Sequence, residues 1–322
     1  MIRRALVFCL LAALTGCKPN EVSKTKAIIG AVLIDGNGGP PITDSVVVVS
    51  GSRIRSAGLR ANVAIPADSD KINGSGKFLV PGLIDLYHTD NQRLDPGVTT
   101  KRVVIPGREF TSQISDPEVA RRKVTELAAQ RVDFLFIRAN DGKLNPAVAD
   151  AILEEARKTN LPVTAGINTL AQAEQLVKSG VAGFVGMITS VEDPDQAFLA
   201  KLRALNIVFA PVLTHAGRGP AMRNTKRMAE AGVPIGVGSG GGAIQQELEL
   251  LAEAGLSPLE VTTAATRNGA LALKKLAELG TIDAGKRADL VLLNANPLED
   301  VRNFRGIDRV MLEGEWIAPP SR

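Results

Sequence analysis

Asp133-Phe134-Leu135-Phe136-Ile137, then Asn145-Pro146, then Pro162-Val163-Thr164-Ala165-Gly166-Ile167 is the stretch that decides the fold. Two apolar runs of strand length flank a capping residue followed by proline, the signal that opens a helix. The stretch reads as strand, helix, strand, and the same grammar extends in both directions. Strands are expected at residues 98–104, 182–187, 207–212 and 233–238, and helices after Asp116-Pro117, Asp193-Pro194 and Ser257-Pro258. Ser257 with Glu260 adds a capping box. Ala120, Val124, Leu127 and Ala128 give the first helix an apolar stripe at helical spacing. Repeats of about 25 residues in this order argue for an α/β fold, a parallel sheet covered by helices. An open doubly wound sheet and a closed barrel both remain compatible with that pattern. A dinucleotide-binding reading is weakened, because no Gly-x-Gly-x-x-Gly fingerprint follows the first strand.

Outside this region the pattern is β. Residues 27–34 close at the turn cluster Asp35-Gly36-Asn37-Gly38-Gly39, and residues 46–49 and 53–56 flank Ser50-Gly51-Ser52 as a hairpin. Residues 79–86, 288–293 and 309–313 are further strands. The expected organisation is a small β-sandwich domain built from both ends, residues 27–79 and 281–322, around the βα region at 80–280.

The chain has 322 residues, 45% hydrophobic and 22% charged, with a formal charge of +4. That is an ordinary balance for a globular chain able to bury a core without staples. No basic stripe with interleaved aromatics is present, so no nucleic-acid partner is expected. The two cysteines are Cys9 and Cys17, and the two histidines are His88 and His215, which bounds any histidine-based metal site.

Met1-Ile2-Arg3-Arg4 followed by an apolar run to Leu14 and then Thr15-Gly16-Cys17 has the form of a secretory signal. The run is too short to span a bilayer. Leu14-Thr15-Gly16-Cys17 resembles a bacterial lipobox, which implies cleavage after residue 16 and lipidation of Cys17; a short buried helix is the other reading. The expectation is an exported protein anchored through lipid to the envelope by a tether at 17–26. Lys18 after the cysteine implies the outer membrane in a Gram-negative host.

Further motifs carry a family resemblance. Val80-Pro81-Gly82-Leu83-Ile84-Asp85, Gly97-Val98-Thr99-Thr100 and Glu247-Leu248-Glu249-Leu250-Leu251 are three of them. Ala264-Ala265-Thr266-Arg267-Asn268 and the stretch from Gly280 to Val291 complete the set. Together they resemble the amidohydrolase superfamily, in particular its imidazolonepropionase-like and prolidase-like members. The resemblance implies a (β/α)8 TIM-like barrel with its site at the C-terminal ends of the strands. It also implies hydrolysis of C–N bonds by one or two divalent metals such as zinc, which activate water and polarise the carbonyl.

At the positions where the family pattern implies ligands, this chain differs throughout. Tyr87 and Thr89 stand for the first histidine pair, Phe136 for the carboxylated lysine, Gly166 and Gly186 for two further histidines, and Gly240 for the aspartate. Metal shells need several His, Cys or carboxylate donors together, so no metal cofactor is expected. Tyr87 and Phe136 are expected to pack where ligands would stand. His88 and Asp90 would form a shifted ligand pair only if a bulge reverses the strand parity. Otherwise His88 faces the helices, while Asp85 shares the barrel-facing parity of Tyr87 or stabilises a turn. His215 follows a strand, either at the functional face or as a loop residue. Ser239, Gly240, Gly241 and Gly242 precede a helix and form either an anion-binding loop for a small ligand or a tight turn. Arg218, Arg223, Lys226 and Arg227 lie upstream of it.

Only residues 90–96 separate Thr89 from Gly97, where the resemblance implies a longer helix-bearing stretch, so a truncated barrel is expected. Two functions follow: a binding or scaffolding lipoprotein that has lost metal-dependent hydrolysis, or an amidohydrolase with a rearranged site around Asp85, His88, Asp90 or His215.

Overall fold

The computed structural model describes residues 25–87, 106–110, 114–130, 132, 134–139, 144–186, 188, 194–216 and 219–317. Residues 1–16, Cys17, His88, Thr89, Asp90, Arg218 and the strand expected at 98–104 lie outside them.

Strands β1 (Lys26–Leu33), β2 (Ile42–Ser50), β3 (Arg53–Leu59), β4 (Asp70–Asn73) and β5 (Phe78–Pro81) come first. Next are β6 (Pro106–Phe110), α1 (Pro117–Ala129), β7 (Phe134–Arg138), α2 (Pro146–Lys158), β8 (Val163–Ile167), α3 (Leu170–Ser179), β9 (Gly183–Gly186), α4 (Gln196–Ala204) and β10 (Val208–Ala210). Helices α5 (Leu213–Ala216), α6 (Pro220–Glu230), α7 (Ile244–Glu253), α8 (Pro258–Thr263) and α9 (Gly269–Ala272) follow, with a π-helical turn at Ala264–Asn268 joining the last two. Strands β11 (Leu290–Leu293), β12 (Ile307–Leu312) and β13 (Glu315–Ile317) end the described chain, with a 3-10 turn at Val301–Arg305 before β12.

The parallel sheet runs β10-β9-β8-β7-β6. Its edge continues through hydrogen bonds, because Phe209 and Gly236 donate to Pro234 and Phe209, and Leu86 donates to Val237 at 2.8 Å. Residues 84–87 therefore lie beside 234–238, which lie beside β10. Capping residues start the helices as the sequence predicts at three places: Asp116, Asn145 and Ser257 each accept an amide from their own first turn. The fourth start differs. Asp195 caps α4 by accepting from Ala197, while Asp193, the residue expected to open this helix, lies outside the described residues.

The strand expected at 79–86 is split. Its first half, β5, pairs with β1 and β11 in an eight-stranded sheet of order β13-β12-β11-β5-β1-β2-β3, with β4 also on β1. Strands from both chain ends share this single hydrogen-bonded sheet, where two packed sheets were expected. It curls back on itself, since Ile54 donates to Lys286 and Ala288 to Ser52. Around its core lie Ile28, Leu33, Val47, Ile54, Leu79, Leu290, Leu292 and Met311. The alternate residues Val80, Val291 and Leu293 point the other way, into the core under the helices of the parallel sheet. Strand alternation, with successive side chains on opposite faces, thus makes β5 and β11 a wall between two cores.

Candidate functional site at the barrel mouth

Alternation also decides what lines the inside of the parallel sheet. Leu135 and Ile137 of β7 pack toward the helices, while Phe134 and Phe136 enter an interior cluster with Ile84, Leu86, Val185, Val208, Ala210 and Val212. Phe136 is 6% exposed. Tyr87 packs against the same cluster, and the two rings lie 5.2 Å apart at 32°, within the range of favourable aromatic pairs. The expected parity fails at Asp85: Ile84 and Leu86 take the interior, and the chain bends at Leu86 to bring Tyr87 in.

Asp85 is instead a buried tie. Its Oδ1 accepts from the Tyr87 amide at 2.9 Å and from the Ser239 amide at 3.0 Å, joining the end of the first barrel segment to the loop after residue 238. The loop itself is a tight turn. Gly240 donates to the Tyr87 carbonyl at 2.8 Å, Gly242 to the Ser239 carbonyl at 3.1 Å, and Gly241 to Ser239 Oγ at 3.4 Å. Every amide from Ser239 to Gly242 is engaged within the protein, which corrects the anion-binding expectation for this loop. The helix behind it begins at Ile244, as expected, and Ala243 gives no side-chain cap.

Two of the glycines leave no room for a side chain. Gly240 has φ +65°, and a Cβ there would stand 2.6 Å from His215 Cε1 and 2.8 Å from Val212 Cγ1. The His215 imidazole therefore occupies the space beside Gly240; the residue is exposed on α5, at the C-terminal end of β10. Gly186 has φ +114° and a Cβ would meet the Ile167 carbonyl oxygen at 2.7 Å. Gly166 pairs with Arg138 between β8 and β7. Arg223, Lys226 and Arg227 lie on α6.

Glu247 is the residue that sequence reasoning passed over. It is fully buried, with Oε1 accepting from the Leu213 amide at 2.7 Å and Oε2 from the Thr214 amide at 3.0 Å. Burial pushes its carboxyl group up to about 7, against the bonds from Leu213 and Thr214, and the nearby Asp85 charge raises it further. A signal existed: Glu247 shares the helical spacing of the buried Ile244, Leu248 and Leu251, and a carboxylate on an apolar stripe rarely lies buried without a partner.

Asp85, Tyr87, His215, Ser239, Gly240 and Glu247 are thus brought to one mouth, with Phe136 beneath Tyr87. Among the described residues no three His, Cys, Asp or Glu side chains come together as a metal shell. Such a mouth offers an aromatic surface, one imidazole and one carboxyl group held close to neutrality.

A model of the amidohydrolase family matches residues 80–317. The chain is 26% identical to imidazolonepropionase from Thermoanaerobacter pseudethanolicus over 217 residues, 62% of this chain and 49% of that protein. It is 27% identical to ochratoxinase from Aspergillus niger over 188 residues, 52% of this chain and 39% of that protein. The chain thus spans about half the length, or less, of these curated relatives. The solved structure of A. niger ochratoxinase superposes with a TM-score of 0.78 at 19% identity, covering 92% of this chain and 96% of that one. A Xaa-Pro dipeptidase with bound methionine superposes equally well at 17% identity, covering 91% of this chain and all of that one. These likenesses show the fold.

Proposed function

The chain belongs to the amidohydrolase family, and from that premise we propose that it has given up metal-dependent C–N bond hydrolysis and acts by binding or scaffolding at the cell envelope. One observation carries the reading: Phe136, at the position where the resemblance implies the carboxylated lysine, is 6% exposed and its ring lies tilted against that of Tyr87, 5.2 Å away. A ring in that place offers a metal no donor. Gly186 and Gly240 have no space for one, and Gly166 has no side chain. The residues present at these positions do not fit the family's zinc-type centre, whose chemistry needs several anionic or imidazole ligands in one shell.

The test is direct. Purified protein is assayed for bound zinc, manganese and iron and for turnover of a panel of N-acyl and cyclic amides. The expected result is substoichiometric metal and no turnover. Stoichiometric metal, with turnover abolished by a chelator, overturns the proposal. Envelope anchoring through Cys17 belongs to the same proposal, supported by the Leu14-Thr15-Gly16-Cys17 pattern. Incorporation of labelled palmitate in a bacterial host, lost in Cys17→Ser, is the expected outcome; equal labelling of both chains removes this part.

A second reading, a rearranged amidohydrolase, draws on the imidazole of His215 lying against Gly240. It requires turnover in the same panel that resists chelation and disappears in His215→Ala.

A further inference from the structure

Three Asn-Gly pairs occur in the chain: Asn37-Gly38, Asn73-Gly74 and Asn268-Gly269. In such a pair the asparagine side chain is open to attack by the next backbone nitrogen, because glycine has no Cβ in the way and turns freely. The fold treats the three pairs differently. Asn268 closes the π-helical turn and Gly269 begins α9. The Gly269 amide donates to the Thr266 carbonyl, and Asn268, 8% exposed, donates Nδ2 to the Ile235 carbonyl at 2.8 Å. Asn73 ends β4. Its Oδ1 accepts from the Ser75 amide at 3.0 Å, and the Gly74 amide donates to the Ile29 carbonyl at 2.8 Å. In both pairs the attacking nitrogen is committed to a hydrogen bond.

Asn37 and Gly38 are both exposed in the turn after β1, and among the described residues no acceptor takes the Gly38 amide. Gly38 has φ +86°, which glycine adopts without strain. A Cβ there would meet nothing closer than Thr263 Oγ1 at 3.9 Å, so the turn has space to swing its nitrogen onto the Asn37 side chain. We propose that Asn37 is a site of spontaneous deamidation in the folded chain, by attack of the Gly38 nitrogen, and that the product turns a tie to Asp283 into a repulsion.

The Gly38 nitrogen bonds to Asn37 Cγ while the Cγ–Nδ2 bond breaks, and the Gly38 amide proton leaves with Nδ2 as ammonia. Water then opens the cyclic imide. Cleavage between Cγ and the Gly38 nitrogen gives aspartate. Cleavage between that nitrogen and the Asn37 main-chain carbonyl carbon gives isoaspartate, whose backbone runs through the side chain. Either product exchanges a neutral amide for a carboxylate.

That amide has a partner from the other end of the chain. Asn37 Nδ2 donates to Asp283 Oδ1 at 3.3 Å, while Thr281 Oγ1 donates to Asp283 Oδ2 and Lys286 Nζ lies 3.4 Å from it. Partial burial works to raise the Asp283 carboxyl group, yet the bonds from Thr281 and Asn37 and the Lys286 charge together hold it below its ordinary value. The Asp35 carbonyl of the same turn accepts from the Ile282 amide at 2.8 Å, so the turn is tied to this segment through backbone and side chain alike. A carboxylate at residue 37 removes the side-chain donor and sets like charge against Asp283.

Peptide mapping by mass spectrometry, after incubation of the full chain at mildly alkaline pH, tests this, with enzymatic methylation reporting isoaspartate. Asn37 is expected to become a mixture of aspartate and isoaspartate, each carrying heavy oxygen when the water is labelled. Breaking one backbone hydrogen bond to free a nitrogen slows its attack by roughly fivefold, so Asn73 should lag by at least that factor and Asn268 further. Unfolding in urea should bring the rates together. Asn37→Asp, which carries the aspartyl product from the start, should raise the Asp283 titration followed by carboxyl NMR. Conversion of Asn73 or Asn268 at the Asn37 rate in the folded chain, or aspartate without isoaspartate at residue 37, overturns the route. An Asp283 titration that Asn37→Asp leaves unchanged overturns the repulsion. The rates are read on the wild-type chain, so they decide even where the variant fails to fold.

Discussion

Replacing Phe136 with alanine is the sharpest trial of the idea that rings have become core where ligands are expected. Phe136 is 6% exposed, and its ring centroid lies 5.2 Å from that of Tyr87. Removing a buried phenylalanine ring costs about 3–5 kcal/mol when the surroundings cannot collapse, of which the aromatic pair accounts for about 1 kcal/mol. Against a total stability of about 5–15 kcal/mol that loss is large. At about 2 °C per kcal/mol for a domain of this size, Tm should fall by about 6–10 °C. Phe136→Lys should be worse, because an ammonium group enters an interior of aliphatic and aromatic side chains without a charged partner. Calorimetry or urea unfolding gives the first number, and metal analysis of Phe136→Lys adds a second readout. If Phe136→Ala costs less than about 1 kcal/mol, or if Phe136→Lys folds like the wild type and takes up stoichiometric zinc, the rings are incidental and a functioning shell lies beneath them.

Two other outcomes follow. Because burial raises Glu247 to about 7 from 4.5 in the folded chain, the native state holds the extra proton between those values, and stability must fall as pH rises through them. The difference in unfolding free energy between wild type and Glu247→Gln should shift by about 3 kcal/mol from pH 4 to pH 8, against the wild type; parallel curves in urea titrations would remove Glu247 as the cause. Gly240→Ala should destabilise by about 2 kcal/mol, since φ is +65° and the new Cβ meets His215 in a backbone region most side chains avoid. Adding His215→Ala should recover part of that loss, and strict additivity in the double-mutant cycle would mean that the imidazole does not press on Gly240.

The helices were legible because their start signals are local. Asp116, Asn145 and Ser257 each meet the amides of the turn beside them, a relation contained within four residues. The side-chain faces of β7 were legible for a similar reason, since alternation alone puts Phe136 inward. Asp85 was not, because its direction depends on the bend at Leu86 and on the Ser239 amide, which lies far along the chain. The division of residues 79–86 between two sheets was hidden for the same reason: nothing local shows that Leu79 and Val80 pair with β11. The loop at Ser239 read correctly as glycine-rich, but whether its amides were free depended on Tyr87 and Asp85 across the mouth. Glu247 was missed because its partners, Leu213 and Thr214, precede it by more than thirty positions.

The wall formed by β5 and β11 has a consequence for how the molecule comes apart. Leu79 and Val80 are adjacent, as are Leu290 and Val291, yet each neighbour is buried in a different core. Melting either core must strip one face from both strands, so the other core loses its boundary at the same moment. The two regions therefore share one cooperative transition, and a barrel cut out at residue 80 would lack the register Val80–Val291 and Leu79–Leu292 that defines its own edge. None of the residues of β5 and β11 that join the two cores belongs to the mouth, so the mouth can change its chemistry while the fold is held from elsewhere.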